Sequence, residues 1–76
     1  MPEPRPLLLD LGHALREARG ARRISQEELG LETGIHRNYI GGIERGERNP
    51  SVTTIATLAD ALDLQLSELF ARVEGG

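Results

Sequence analysis

Residues 25–51 read Ser25-Gln26-Glu27-Glu28-Leu29-Gly30-Leu31-Glu32-Thr33-Gly34-Ile35-His36-Arg37-Asn38-Tyr39-Ile40-Gly41-Gly42-Ile43-Glu44-Arg45-Gly46-Glu47-Arg48-Asn49-Pro50-Ser51. Ser25 is an acceptor for the free N–H groups of a helix start. Glu28, three residues on, completes a capping box. Leu29 is the apolar contact of that first helix, expected over Gln26 to Glu32. Gly34 follows it, where a left-handed residue closes a helix. Ile35, Ile40 and Ile43 then recur at helical spacing, for a second helix over Arg37 to Glu44 that Gly46 stops. Two helices this close, with Gly in the turn, cross steeply. Gly30 suits the crossing, because a small residue lets the second helix approach.

Working outward, Leu8, Leu11, Leu15 and Ala18 share a face of a preceding helix expected to start between Leu7 and Asp10 and to run to Arg19. Gly20 weakens its continuation, and Ile24 stands where a hydrophobic staple would sit before the Ser25 cap. After the loop Glu47-Arg48-Asn49-Pro50, Ser51 caps a further helix. Val52-Thr53-Thr54-Ile55 resembles a strand by composition, but Ile55, Leu58, Ala59 and Leu62 fit a helix by period, and period is preferred. A last helix starts near Gln65, with Gln65 or Ser67 as its cap, and carries the stripe Leu66, Leu69, Phe70 and Val73. The expectation is an all-α, five-helix domain over residues 7–73, with disordered tails at 1–6 and 74–76.

At 76 residues the chain holds one small domain. A core of that size is marginal alone, so oligomerisation is expected. It has no cysteine, which excludes a disulfide framework and a thiolate metal site, and two histidines make no metal site either. Leu7-Leu8-Leu9 is too short for a signal peptide or a membrane span, so a cytoplasmic protein with no membrane partner is expected. No Gly-rich phosphate loop and no nucleophile–base pair is present, so neither an enzyme nor a cofactor is expected.

The net charge of −3 is unlike that of a generic nucleic-acid binder. The distribution alters that reading. Arg16, Arg19, Arg22, Arg23, Arg37, Arg45 and Arg48 outnumber Glu17, Glu27, Glu28, Glu32, Glu44 and Glu47 over residues 13–49. Arg72 faces Asp60, Asp63, Glu68 and Glu74 beyond them. The acidity therefore lies mainly in the C-terminal third.

Ser25 to Leu29, Gly34-Ile35, Tyr39-Ile40, Ile43 to Gly46, Asn49 to Ser51 and Leu58 to Leu62 together resemble the phage-repressor (Cro/repressor, XRE-like) helix-turn-helix family. The likeness runs from Leu11 to Phe70 without a gap. It implies a five-helix, λ-repressor-like domain that binds operator DNA as a dimer. Stand-alone members of this length include restriction–modification controllers, antitoxins and small autoregulators. The sequence departs from the pattern at Gly30, where Ala is usual. It departs again at His36, where Ser or Thr commonly caps, and at Gly41-Gly42, where Ser and Lys or Arg are frequent. Two glycines there cost about 1 kcal/mol each relative to Ala, and they take side chains off the groove-facing surface.

What the resemblance implies for individual residues follows. Arg37 and Asn38 lead the third helix, the end that meets base edges. Arg matches guanine and Asn adenine, for roughly 1–3 kcal/mol of discrimination per good pair. Gln26 donates to a phosphate and braces the third helix. Tyr39 is part core, with its hydroxyl toward a phosphate. Arg45, Arg48 and Asn49 follow the DNA backbone. His36 touches a phosphate, a base edge or nothing, and Gly41-Gly42 (Gly42 above all) allows close approach of backbone to DNA or a partner, or is plain surface drift. Arg19 and Glu44 form a structural ion pair. Part of the stripe Leu66, Leu69, Phe70, Val73 forms a homodimer interface. The partners expected are double-stranded DNA and, beyond it, RNA polymerase or a toxin. The competing reading is an antitoxin or adaptor that uses the fold for protein–protein contact.

Overall fold

Five helices follow one another in the computed structural model, which describes residues 5–75: α1 (Arg5–Arg22), α2 (Gln26–Thr33), α3 (Arg37–Glu44), α4 (Val52–Ala61) and α5 (Leu66–Gly75). No strand occurs among the described residues. Val52 to Ile55 are helical despite their β-branched composition. Ser51 Oγ accepts from the Thr54 N–H at 3.1 Å, so the N-cap fixes the start.

α1 is longer than the sequence suggests at both ends. It includes Arg5 and Pro6, which the expected tail had claimed; residues 1–4 of that tail lie outside the described residues. Proline in a first turn sacrifices no intrahelical bond, because that N–H has no partner anyway. At the other end the helix runs through Gly20. It closes at Arg23, whose φ is 59°. The Arg23 and Ile24 N–H groups donate to the Gly20 and Arg19 carbonyls at 3.0 and 3.5 Å, the bond pair of a Schellman stop. α4 ends the same way at Asp63, φ 59°, with Leu64 N–H donating to Ala59 at 2.8 Å. α5 continues through Glu74 and Gly75, part of the tail expected at 74–76; Gly76 lies outside the described residues. Its cap is neither the Gln65 nor the Ser67 side chain: Glu68 reaches back to accept from the Gln65 N–H at 2.9 Å.

The core joins Leu11, Leu15 and Ala18 of α1 to Leu29, Ile40, Ile43, Ile55, Leu58 and Leu62. Each large side chain buried this way contributes about 1.5–3 kcal/mol. α1 packs on α3 and α5, and α2 on α3 and α4. The α1–α3 contact is close at Gly12, where a Cβ would run into the Ile43 carbonyl oxygen and lie 2.6 Å from that of Glu44.

The α5 stripe divides. Leu69 is fully buried and Val73 nearly so, inside the protomer's own core. They belong to the buried core, where α5 packs against α1 and α4. Leu66 and Phe70 are half-buried and keep surface available for a partner.

Candidate nucleic-acid interface

α2, the turn and α3 are held by local bonds that leave little freedom in their crossing. Ser25 Oγ accepts from Glu28 N–H at 2.9 Å, and the Glu28 carboxylate accepts from Ser25 N–H at 2.8 Å. Gly34, φ 77°, closes α2 by donating its N–H to Gly30 O at 2.8 Å. Thr33 Oγ1 donates to Leu29 O at 2.8 Å and accepts from Ile35 N–H at 3.2 Å, carrying the chain around the turn. A Cβ at Gly30 would stand 2.7 Å from the Ile35 carbonyl oxygen, so the missing side chain does admit the turn.

His36 caps α3 with its ring. Nδ1 accepts from the Asn38 N–H at 3.0 Å. The imidazole thus takes the place of the Ser or Thr hydroxyl, and the accepting nitrogen carries no proton. Its other nitrogen remains for an outside partner. Arg37 and Asn38 follow, both exposed. The Arg37 guanidinium leans on the first turn of α2, 3.3 Å from the Glu27 carboxylate. Glu27 is a site neighbour that sequence reasoning missed; the only signal was its place one residue into α2.

Tyr39 is half-buried, as expected, and Ile40, Gly41, Gly42 and Ile43 are buried. The paired glycines are therefore not an open patch on the groove-facing surface. Long side chains lie over them. Beside Gly41 stand the Arg45 guanidinium and the Gln26 amide, 3.0 and 3.3 Å from where a Cβ would be. Over Gly42 lies the stem of Arg48, whose guanidinium carbon is 5.7 Å from the Tyr39 ring centroid. Arg45 also meets Glu47 at 3.1 Å. Arg48 and Asn49 are exposed.

Behind this surface sits the ion pair. Arg19 Nε and Nη2 donate to the two Glu44 oxygens at 2.7 and 3.0 Å, and Arg19 Nη1 donates to Ile24 O at 2.8 Å. Gln26 Nε2 donates to Glu44 Oε1 at 2.9 Å. Gln26 thus braces α3 through Glu44. The Glu44 side chain is 4 % exposed and that of Arg19 16 %. The hydrogen bond to Glu44 raises the Arg19 pKa further above its ordinary value, against the lowering effect of burial. Arg22 is engaged too, donating to Ala61 O at 2.6 Å and pairing with Glu32 at 3.0 Å.

The charge on this face is thus mixed and largely self-compensated, yet its cations cluster around α3. It can offer planar donors to base edges and to phosphates.

Residues 15–69 match the family described as helix-turn-helix. Control protein C.SmaI of Serratia marcescens is 40% identical over 62 residues, covering 82% of this chain and 74% of that protein. The crystal structure of the restriction-modification controller protein C.AhdI from Aeromonas hydrophila is similar with a TM-score of 0.80 and 49% identity, over 83% of this chain and 96% of that one. The controller protein C.Esp1396I, whose structure is a tetramer with its natural 35 base-pair operator, is similar with a TM-score of 0.82 at 25% identity, over 91% of both chains.

Proposed function

The chain belongs to the helix-turn-helix family, and on that premise we propose that it is a sequence-specific, DNA-binding transcriptional regulator of the restriction–modification controller kind. The observation that carries the reading is the double-capped α2–turn–α3 unit with Arg37 and Asn38 exposed at its leading edge. In that role α3 lies in the major groove. Arg37 and Asn38 reach base edges. Gln26, Tyr39, Arg45, Arg48 and Asn49 hold phosphates, and the free nitrogen of His36 donates to the backbone beside them. Base contacts set sequence preference, while phosphate contacts set register and most of the salt dependence.

A homodimer closing on Leu66 and Phe70 would place two α3 helices about 34–36 Å apart, one turn of the duplex. Occupancy then represses or recruits RNA polymerase according to where the operator lies. No described helix is long and apolar enough to cross a membrane, and a cytoplasmic site of action fits a DNA-bound role. The test is a polarisation titration of the full chain with its own promoter fragment and a scrambled duplex at moderate salt. Sub-micromolar binding with clear preference for the promoter is expected. Equal, weak binding to both would favour an adaptor or antitoxin role.

A further inference from the structure

Arg48 is the interface arginine whose position is set before any ligand arrives. Arg37 is paired with Glu27 and Arg45 with Glu47, but among the described residues no carboxylate lies within ion-pairing distance of Arg48. Its side chain instead crosses α3. The three atoms nearest to a Cβ added at Gly42 would all belong to Arg48: Cγ at 2.8 Å, Nε at 3.5 Å and Cδ at 3.7 Å. The guanidinium carbon then sits 5.7 Å from the Tyr39 ring centroid, within reach of a cation–π contact. Tyr39 and Gly42 are three residues apart and so share a face of the helix. The loop backbone is held down beside them, because Glu47 N–H donates to Gly42 O at 2.9 Å.

We propose that Gly42 is a positioning residue for DNA binding: the volume its side chain lacks is the channel in which the Arg48 stem lies, and this holds the guanidinium over Tyr39, unpaired and ready for a backbone phosphate. The inference rests on the DNA-binding reading above. It replaces the idea that Gly42 lets the α3 backbone approach the duplex, since the channel is already filled by Arg48. Preorganising a long, rotamer-rich side chain reduces the ordering that binding would otherwise demand.

The signature is a divergence of stability and affinity. In Gly42→Ala the atom met first is Arg48 Cγ, near the backbone, so the whole stem must rotate away, and the better helix propensity of Ala offsets that cost. Melting temperature therefore changes little. The Arg48 stem must leave, so affinity falls.

The experiment has a free arm and a bound arm, both on the full chain. In the free protein, the Arg48 δ and ε protons, next to the guanidinium that stands over the Tyr39 ring, resonate upfield, and Gly42→Ala and Tyr39→Leu each abolish that shift. On the promoter duplex, Gly42→Ala weakens binding about tenfold, the scale of one charge-assisted hydrogen bond. It also lowers the salt slope by about one. Arg48→Ala does the same, and the double variant binds no worse than Arg48→Ala alone. An unchanged ring shift in Gly42→Ala, additive losses in the double variant, or failure of Gly42→Ala to fold would each overturn the proposal. If the unaltered chain binds no DNA, the functional reading falls with it; the ring shift, which needs no DNA, tells that failure from failure of the seat.

Discussion

Arg19 of α1 and Glu44 of α3 meet side by side through two hydrogen bonds of 2.7 and 3.0 Å, and Gln26 of α2 donates to the same carboxylate at 2.9 Å. One carboxylate thus ties together the three helices that set the attitude of the reading head. The Glu44 side chain is almost wholly out of solvent, so its partners must satisfy it. Removing one partner strands a buried charge, at a cost of roughly 3–5 kcal/mol. Arg19→Ala and Glu44→Ala should each lower the unfolding free energy by that amount. The double variant should lose far less than the sum. Additive losses in a denaturant series would show the pair to be uncoupled. Because contact with Glu44 raises the pKa of Arg19, the arginine's part in the pair is present below its unfolded-state pKa and is lost only as pH climbs through the raised folded value, at strongly alkaline pH.

Two glycines of α1 should respond to alanine with opposite signs. A Cβ at Gly12 would press on the Ile43 and Glu44 carbonyls, which are backbone and cannot swing aside. Gly12→Ala should destabilise by about 1–3 kcal/mol. Gly20 has nothing within 4 Å, and Gly20→Ala should stabilise by about 1 kcal/mol through helix propensity. Thermal melts of the two variants side by side check this, and shifts of the same sign would contradict the α1–α3 packing.

His36 should behave as a cap. Its Nδ1 accepts from Asn38 N–H, so nitrogen-15 spectra should show the proton on Nε2 in the neutral ring. His36→Ala should lose about 1 kcal/mol, while His36→Ser, which can still accept, should lose little.

Glu47 should titrate below the usual carboxylate range. The hydrogen bond from Arg45 is the main cause, followed by the Arg45 charge, with Arg48 adding to it against desolvation. A depressed folded pKa means the contact is complete above the unfolded-state value and is lost as pH falls through the folded one. Carbon-detected titration of Glu47 should show the depression, and Arg45→Ala should remove most of it. The group is exposed, so global stability should not follow its titration.

Much of this was readable from residue order. The capping box at Ser25–Glu28 and the left-handed stops at Gly34 and Gly46 are local chemistry, and each stands where its spacing put it. The buried faces of α1, α3 and α4 follow the apolar period. The stop at Arg23 was invisible because arginine does not favour φ near 59°. The bond that imposes it comes from Ile24 folding back. Leu69 and Val73 read the same as Leu66 and Phe70, since only the packing of α5 on α1 and α4 decides which pair is core. The gaps at Gly41 and Gly42 read as missing contacts, because a sequence does not say which long side chain will lie over a glycine.

The Arg37–Glu27 contact suggests that part of the duplex's pull on Arg37 is offset in the free protein. Glu27→Gln should free Arg37 for a base edge, tightening binding to the promoter by a few-fold and changing binding to scrambled DNA less.

The most direct measurement compares Arg37→Ala with Arg45→Ala on promoter and scrambled DNA across a salt series. Arg37→Ala should lose roughly 1–3 kcal/mol on the promoter and little on scrambled DNA, which relaxes preference at one position. Arg45→Ala should weaken both duplexes alike and lower the salt slope by about one. Equal losses on both duplexes from Arg37→Ala would mean that the leading edge of α3 does not read bases.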